Sequence, residues 1–456
     1  MSEENTKKDL FETMPVPQAV AKMCIPSIIG SLVMMLYSMA DTYFVGALNS
    51  SIESSAVTLA SPVLLAFNAV NNLFGVGTGS YMSRCLGVRD HDTTRRASAF
   101  GIYWALISGF VFSGVFLAFR PFFLKLLGAT ADTYAVTSEY IFWTVICGAV
   151  PSILNVVLGY LIRAEGAAMH ATIGTMSGCI LNVILDPFFI LPRFLGMGAA
   201  GAGLATFISN SVAVLYFLIL IAVKKEKTFV SFKWKDFAAQ KGIAKPVFNV
   251  GVPAAIQNLL NVTGQTVLNN FASAYGPAVV SAVGISHKII MVPLMMAIGV
   301  SNGITPLISY NYSSGDRKRM KDVFRFTLKI SMGIAIVMAL GTFIFPGKLM
   351  TFFIKDADIV SYGEVFLRIA SVTIPCMAMD FIAVGVFQAC GMGRKSLIFA
   401  VLRKIVLEIP ALFIWNRIFP INGLAAAQPT SEFILAIAAI VVLRKIFKDV
   451  PRGQDA

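Results

Sequence analysis

Asp41 is an acidic residue close to the end of the first long apolar stretch of the sequence, which begins near Met23. A charged carboxylate inside a membrane is costly unless it is neutralised, paired or exposed to water, so an acid at such a position indicates a functional site. Tyr37 precedes Asp41 by one helical turn and shares its face. We predict that both residues help to bind a proton or a small cation. The alternative is that Asp41 sits at the helix end and extends towards water.

A second acid, Asp186, follows Asn182 by four residues in the stretch Leu181–Pro187. This spacing places the two side chains on one face of a helix. If Asp186 packs near Asp41, the two carboxyl groups compete for ionisation and titrate as a pair. Such a pair suits the binding of a proton, or of a small cation through oxygen atoms. The alternative is that Asp186 only ends the helix before a proline.

Further polar residues fall inside apolar stretches, where they must face the interior of a helix bundle or water. Asn68, Asn71 and Asn72 are spaced to form one stripe, which either lines a cavity or joins helices through hydrogen bonds. A pairing of Asp380 with His287 or Lys288 is one option in the second half. Packing or ion-pair roles are expected for Glu408 and Glu432. The residues predicted to line a substrate cavity are Asn68, Asn72, Asn155, Gln257, His287 and Asp380.

The elements that position these residues are membrane-spanning helices. The chain has 456 residues, of which 57% are hydrophobic and 13% charged, and its mean hydropathy is +0.76. Soluble domains contain about 25% charged residues. Apolar stretches long enough to cross a bilayer recur from end to end. The sequence predicts an all-α polytopic membrane protein with twelve spans, at residues 20–46, 54–80, 98–119, 138–160, 168–190, 198–223, 247–273, 279–307, 324–346, 362–387, 396–418 and 423–445.

The net charge of +13 does not indicate a nucleic-acid partner, because the basic residues concentrate in every second connection between the predicted spans, on one side of the membrane. They concentrate in the segments 84–96, 224–245 (including Lys225), 317–321, 394–395 and 444–448. Cytoplasmic loops carry such an excess of Lys and Arg. We therefore predict a multi-pass protein of the cell membrane with both termini in the cytoplasm.

Cysteine and histidine provide no sign of an enzyme. The six cysteines form no CxxC pair, and the three histidines form no HExxH motif. No nucleophile signature occurs either. We predict no catalytic residues, no cofactor and no resident metal, although Na⁺ is an option at the carboxyl pair.

The two halves of the sequence repeat each other. Landmark residues recur at separations of 225 to 227, among them Pro26 with Pro253 and Asp90 with Asp316. Two six-span repeats that enter from the same side are related by an axis along the membrane normal, with a substrate path between them. Pro26 and Pro253 are predicted to bend their helices, because proline removes a backbone hydrogen bond. The predicted units are an N-terminal lobe (1–223), a basic cytoplasmic linker (224–246) and a C-terminal lobe (247–456).

These landmarks resemble the multidrug and toxic compound extrusion (MATE) family, and most of all its MepA-like bacterial branch. The order and spacing of the motifs carry the resemblance over nearly the whole chain. The matching segments are Ala40–Gly46, Phe74–Gly79, Arg163–Gly166, Leu181–Pro187, Gly198–Thr206, Pro306–Tyr312 and Gln388–Gly391.

The resemblance implies two six-helix lobes and the export of cationic or amphiphilic drugs in exchange for inward H⁺ or Na⁺. It also implies a cation site at Asp41, Asn182, Asp186 and Thr206. The seventh span offers Gln257 and Gln265 but no glutamate, so a second-lobe ion site of the NorM type is not expected to be complete. Small-molecule drugs and the bilayer are the expected partners of a monomer. A flippase for a lipid-linked precursor is the alternative.

Overall fold

The computed structural model describes residues 9–48, 50–224, 227–239 and 241–449. Lys225 of the predicted linker lies outside these residues, as do the two ends of the chain that the topology prediction places in the cytoplasm. The described residues form helices joined by short connections, without a strand among them.

Six long helices come from the first half of the chain. They are α1 (Val16–Gly46), α2 (Ser51–Gly87), α3 (His91–Ala118), α4 (Ala131–Cys147 with Ala149–Ala164), α5 (Ala168–Ile190) and α6 (Gly198–Val223). The second half repeats this order with α7 (Ala244–Ser273), α8 (Pro277–Ser313), α9 (Arg317–Ile344), α10 (Ala357–Ser371 with Thr373–Ala389), α11 (Gly393–Val401, Leu402–Glu408 and Ile409–Ile418) and α12 (Asn422–Asp449). The prediction of twelve helices is confirmed. Shorter helices are Asp9–Thr13, Arg120–Leu126, Trp234–Ala238 and Pro346–Phe353.

Most of these helices are long and apolar enough to cross a membrane. Seven helices of the described residues satisfy this criterion alone, and the bent pairs α4 and α10 raise the number to nine. The other three are α7, α11 and α12, which carry polar or charged residues such as Asn261, Lys404 and Glu432. Polar groups at membrane depth must face protein or water, so these three helices indicate where a polar interior lies.

The two halves also bend alike. The helix axis turns by 47° between the parts of α4 and by 48° between the parts of α10. In α4 the turn follows a π-helical segment, Phe142–Cys147, and falls at Gly148, where a Cβ atom would lie 2.5 Å from the carbonyl oxygen of Thr144. Pro26 and Pro253 instead lie inside the continuous helices α1 and α7.

Equivalent hydrogen bonds occur at the ends of corresponding helices. The Ser83 hydroxyl donates to the carbonyl oxygen of Ala164 at 2.8 Å, and the Ser309 hydroxyl donates to that of Ala389 at 3.0 Å. Asp90 and Asp316 cap α3 and α9 in the same way, each accepting from the backbone N–H three residues later. The repeat seen in the sequence is therefore a duplication of three-dimensional structure.

The described chain divides into two compact units, which we call the first and second lobes. The first lobe contains Ile29–Ala255, whereas the second contains Leu10–Ile28 and the chain from Ile256 onward. The lobes predicted from the sequence began at residues 1 and 247. In the structure, the first part of α1 belongs to the second lobe and the first part of α7 belongs to the first lobe. Glycines explain the exchange, because they let helix backbones approach closely.

In the first lobe, a Cβ atom on Gly77 of α2 would lie 2.5 Å from the carbonyl oxygen of Val247 of α7. In the second lobe, a Cβ atom on Gly303 of α8 would lie 2.6 Å from the Cα atom of Cys24 of α1. The start of α7 therefore packs within the first lobe, although the rest of α7 belongs to the second lobe. The start of α1 likewise packs within the second lobe, although the rest of α1 belongs to the first.

The segment after α6 packs against the first lobe and is more than a solvated linker. The carboxylate of Glu165 accepts hydrogen bonds from the Thr228 hydroxyl at 3.1 Å and from the Phe229 N–H at 2.9 Å. The Tyr103 hydroxyl on α3 donates to the carbonyl oxygen of Phe232 at 2.8 Å, and its ring contacts that of Trp234. The part of the segment from Phe232 to Trp234 is thus docked on α3.

Candidate ion site and second-lobe cavity

The first lobe contains a buried acidic site on α5. Asn182 and Asp186 lie one turn apart on this helix and are 1% and 0% exposed. Small residues of α6 make this burial possible, because Gly178 of α5 fits against the backbone of Ser209, 3.1 Å from the position of its missing Cβ atom. The predicted shared face of Asn182 and Asp186 is therefore a buried face.

The Asn182 amide connects Asp186 to α6. With its nitrogen turned towards Asp186, the amide donates to Asp186 Oδ2 at 2.9 Å, and its oxygen accepts from the backbone N–H of Thr206 at 3.1 Å. The hydrogen-bond partners decide this orientation of the amide. The opposite orientation leaves only a 3.3 Å bond from the Asn182 nitrogen to the Thr206 hydroxyl. The first arrangement satisfies both the amide and the carboxylate.

Asp41 of α1 belongs to the same site. Asp41 and Asp186 are close enough to interact electrostatically. The Tyr37 hydroxyl interacts with both carboxyl groups and with the Thr206 side chain. Tyr140 of α4, buried at 4% exposure, also interacts with both acids. The sequence analysis missed Tyr140, because an aromatic residue in an apolar helix resembles any other core residue.

Asn155, predicted to line a substrate cavity, lies in a hydrogen-bond chain that leads to this site. Its amide donates to the Asn210 side-chain oxygen at 3.0 Å. The Asn210 amide in turn donates to the carbonyl oxygen of Thr206 at 3.0 Å. Asn210 was not singled out from the sequence, although it follows Thr206 by one turn and this spacing was the available signal.

The electrostatic character of the site is negative. Within the part of the chain that the structure describes, no basic side chain acts on Asp41 or on Asp186. Two neighbouring carboxyl groups cannot both remain charged at low cost when nothing compensates them. A proton shared by the pair, or a small cation held by carboxylate and amide oxygens, removes this cost. The described residues contain no group of three or more His, Cys, Asp or Glu that would hold a metal ion.

The asparagine stripe of α2 lies elsewhere in the first lobe. Asn68 is exposed, Asn72 is half-buried and its amide donates to the carbonyl oxygen of Asn68 at 2.8 Å. Asn71 is buried. The Asn72 amide therefore finds a hydrogen-bond partner within its own helix. Such local bonds lower the free-energy cost of polar side chains in a membrane helix.

The second lobe encloses a cavity of about 480 Å³. Its walls combine Met and Phe side chains with amides from α7 and α12 and with charged groups from α11. The lining residues that matter for its chemistry are Asn258, Asn261, Gln265, His287, Arg403, Lys404, Glu408, Gln428 and Glu432. Of the predicted substrate-cavity residues of the second half, His287 is among the lining residues of this cavity, whereas Gln257 and Asp380 are not.

Asp380 lies behind the cavity wall in a buried group of three charges. Its carboxylate is 3.8 Å from the Arg403 guanidinium, which is also 3.5 Å from Glu432. All three side chains are at most 3% exposed. Asp380 thus pairs with Arg403, and the alternative pairs with His287 or Lys288 do not form. Arg403 supplies one positive charge between the two buried acids.

A second ion pair lies on α11 and faces the cavity. Lys404 Nζ lies 2.7 Å from both carboxylate oxygens of Glu408. These residues belong to the π-helical segment Leu402–Glu408. The hydrogen bonds of a π-helical turn span one more residue than those of an α-helix, which shifts the faces of the helix, and such turns are frequent at functional sites. The sequence analysis considered packing or ion-pair roles for Glu408 and Glu432, and both residues form ion pairs, but it did not name Arg403 or Lys404 as their partners.

The comparisons with known proteins agree with this geometry. A family model described as MatE matches residues 26–188 and again residues 253–414. A solved structure described as MATE in complex with MaL6 superposes with a TM-score of 0.90 at 24% identity, covering 97% of this chain and 98% of that one. An outward-facing multidrug resistance MATE family transporter of the MOP superfamily superposes with a TM-score of 0.89 at 25% identity, covering 94% and 96%.

Two sequence relatives are export proteins. The multidrug export protein MepA of Staphylococcus aureus (strain MRSA252) is 33% identical over 433 residues, covering 95% of this chain and 94% of that protein. MepA of Staphylococcus saprophyticus subsp. saprophyticus is 32% identical over 434 residues, with the same two coverages. The fold and these relatives define a multi-pass membrane transporter and not an enzyme. The chain belongs to the MATE family.

Proposed function

We propose that the protein is a secondary active antiporter that exports cationic or amphiphilic drugs in exchange for inward H⁺ or Na⁺. The MATE family and the names of the MepA relatives support multidrug export. The observation that carries the coupling proposal is the first-lobe pair Asp41 and Asp186, which lies among hydrogen-bonding groups without a basic partner in the described structure.

Coupling requires that ion and drug prefer different conformations, because a ligand shifts an equilibrium only through its differential affinity for the two states. Binding of H⁺ or Na⁺ between Asp41 and Asp186 neutralises the site and favours a conformation in which it is closed to water. Drug binding favours the conformation in which the carboxyl groups are hydrated and charged. Alternation between these states exports the drug and imports the ion, with a bend of α1 at Pro26 as the proposed movement.

The proposed topology places both termini in the cytoplasm of a monomer in the cell membrane. In this topology the six helices of each half of the chain, α1–α6 and α7–α12, cross the membrane, and the basic segment 224–246 connects the two halves in the cytoplasm. The basic segments 84–96, 224–245 and 317–321 support this orientation. Single cysteines introduced into these segments, in a variant without native cysteines, should resist a membrane-impermeant maleimide added to intact cells. Labelling from outside would reverse the orientation.

Transport in vesicles tests the proposed function directly. The purified protein is reconstituted into liposomes, and the liposomes are loaded with a fluorescent cationic drug such as ethidium. An imposed H⁺ gradient and an imposed Na⁺ gradient are then applied in separate experiments. We expect drug movement to follow at least one of the gradients. Equal rates with and without both gradients, in vesicles that contain folded protein, would contradict the antiporter.

A flippase for a lipid-linked precursor requires basic cavity residues that hold a pyrophosphate. Arg403 and Lys404 do line the second-lobe cavity, although the sequence placed most basic residues in loops. Each of them is paired with a carboxylate. These pairs leave no surplus positive charge for a pyrophosphate, and the cavity therefore supports drug export over lipid flipping.

A further inference from the structure

The two groups of charges around the second-lobe cavity differ in their access to a bound molecule. The side chains of Asp380, Arg403 and Glu432 are at most 3% exposed. Those of Lys404 and Glu408 are 14% and 13% exposed and belong to the cavity wall. A ligand in this cavity therefore meets the Lys404–Glu408 pair more readily than Arg403 and Glu432, which also line the cavity but are almost fully buried.

We propose that Glu408 is the anchor for the cationic group of a ligand in this cavity, and that Lys404 is a tethered competitor for the same carboxylate. The inference rests on the proposed export of drugs and names the residues that set its charge selectivity. A ligand ammonium or phosphonium group takes the place of the Lys404 ammonium. Neutral molecules of the same size gain nothing from this exchange.

The surroundings fit such an exchange. Lysine carries its charge on a flexible chain of four carbons, so it can leave one partner for another. The amides of Asn258, Asn261 and Gln265 on α7 line the same cavity and offer oxygen atoms to a displaced ammonium group. The apolar part of a ligand meets methionine and phenylalanine side chains, which adapt to different shapes.

Gly264 gives a second observation that bears on Lys404. A Cβ atom at this position would lie 2.8 Å from Lys404 Cδ and 3.4 Å from Glu408 Oε1. Glycine is a poor choice for the middle of a helix, where alanine is more stable. Its place in α7 provides the space that the Lys404 side chain occupies. Gly264→Ala therefore pushes Lys404 away from Glu408 without removing a charge from the cavity.

Equilibrium binding to the purified full-length chain in detergent tests the proposal without any ion gradient. The probes are tetraphenylphosphonium, a permanent cation, and triphenylphosphine oxide, a neutral molecule with similar aromatic groups. Lys404→Met should tighten tetraphenylphosphonium binding by about tenfold, and Glu408→Gln should weaken it by about tenfold. Gly264→Ala should tighten it by about threefold. The affinity for triphenylphosphine oxide should stay within about twofold in all variants.

Lys329→Met, which removes an exposed lysine of α9, is the matched control and should bind like the wild type. Unchanged tetraphenylphosphonium affinity in both Lys404→Met and Gly264→Ala would overturn the proposal, as would absence of binding in the wild type and Lys404→Met alike. Equal gains for the charged and the neutral probe would also overturn it. If the wild-type protein shows no gradient-driven export, that separate result contradicts only the proposed function.

Discussion

The buried acids of the two lobes are compensated in different ways, although the lobes repeat one fold. In the first lobe, Asp41 and Asp186 interact with each other and with hydrogen-bonding groups, and no basic residue of the described structure acts on them. In the second lobe, Arg403 lies between Asp380 and Glu432. An acid pair without a resident cation depends entirely on ions from solution, whereas a resident guanidinium compensates one of the two acids in the second lobe. Duplication thus preserved the helices while the charges diverged.

The largest effect is expected from Asp41→Asn. The amide mimics the neutral form of the carboxyl group, so the variant should fold and still bind drug. We expect drug export under either ion gradient to fall by about 100-fold or to background, because the site no longer distinguishes its two states. Drug efflux from vesicles at matched protein content measures this. Near-wild-type export by Asp41→Asn would remove the first-lobe acids from the coupling step.

The next largest effect is expected on the stability of variants that alter the buried charges of the two lobes. Arg403→Met leaves two buried acids without their cation and should lower the free energy of unfolding by about 3–5 kcal/mol. The triple variant Asp380→Asn, Arg403→Met, Glu432→Gln should recover most of this loss.

Asp186→Asn is the matched change in the first lobe, and it should leave the protein as stable as the wild type, because it strands no counter-charge. Thermal unfolding in detergent measures all three variants. A large loss in Asp186→Asn, or none in Arg403→Met, would contradict the contrast between the lobes.

A smaller effect is expected from Asn182→Ala. This variant removes the donor to Asp186 Oδ2 and the acceptor for the Thr206 N–H. A hydrogen bond to a carboxylate stabilises its charged form by about 1.5–3 kcal/mol, so its loss favours protonation, and the H⁺ concentration that half-saturates transport should fall by about tenfold or more. Initial rates of export across a series of H⁺ or Na⁺ concentrations provide the measurement. Asn155→Ala, farther along the same hydrogen-bond chain, is the control and should change this value less.

The smallest effects are expected at the helix caps, a feature that the two lobes share. Asp90→Ala and Asp316→Ala each remove a helix cap and should each cost about 1 kcal/mol of stability. The hydrogen bond from the Thr93 N–H lowers the pKa of Asp90. The stabilisation by this cap is therefore complete above the usual carboxyl pKa and is lost as the pH falls through the lowered value. Unfolding measured against pH should show that the stability difference between the wild type and Asp90→Ala shrinks as the pH falls through this value, and at neutral pH the two variants should lose similar stability. Strongly unequal losses would show that the two caps are not equivalent.

The sequence predicted the elements and the first-lobe acids because both produce local signals. Asp41 and Asp186 are rare charges in apolar stretches, and the four-residue spacing from Asn182 to Asp186 defines one helix face wherever that helix packs. The contributions of Tyr140 and Asn210 depend on which helix faces meet. The pairs of Arg403 and Lys404 depend also on a π-helical turn that shifts the faces of α11. The exchange of α1 and α7 between lobes depends on glycine contacts between distant segments.

Gradient-driven export by two neutralised variants tests the central claim most directly. Asp186→Asn alters the first-lobe pair, and the triple variant Asp380→Asn, Arg403→Met, Glu432→Gln neutralises the second-lobe group. Both are reconstituted at equal protein content, and export of ethidium is followed with and without the gradient that drives the wild type. Asp186→Asn should lose its dependence on the gradient, and the triple variant should keep it. A triple variant without gradient dependence, beside an Asp186→Asn variant that retains it, would contradict the account.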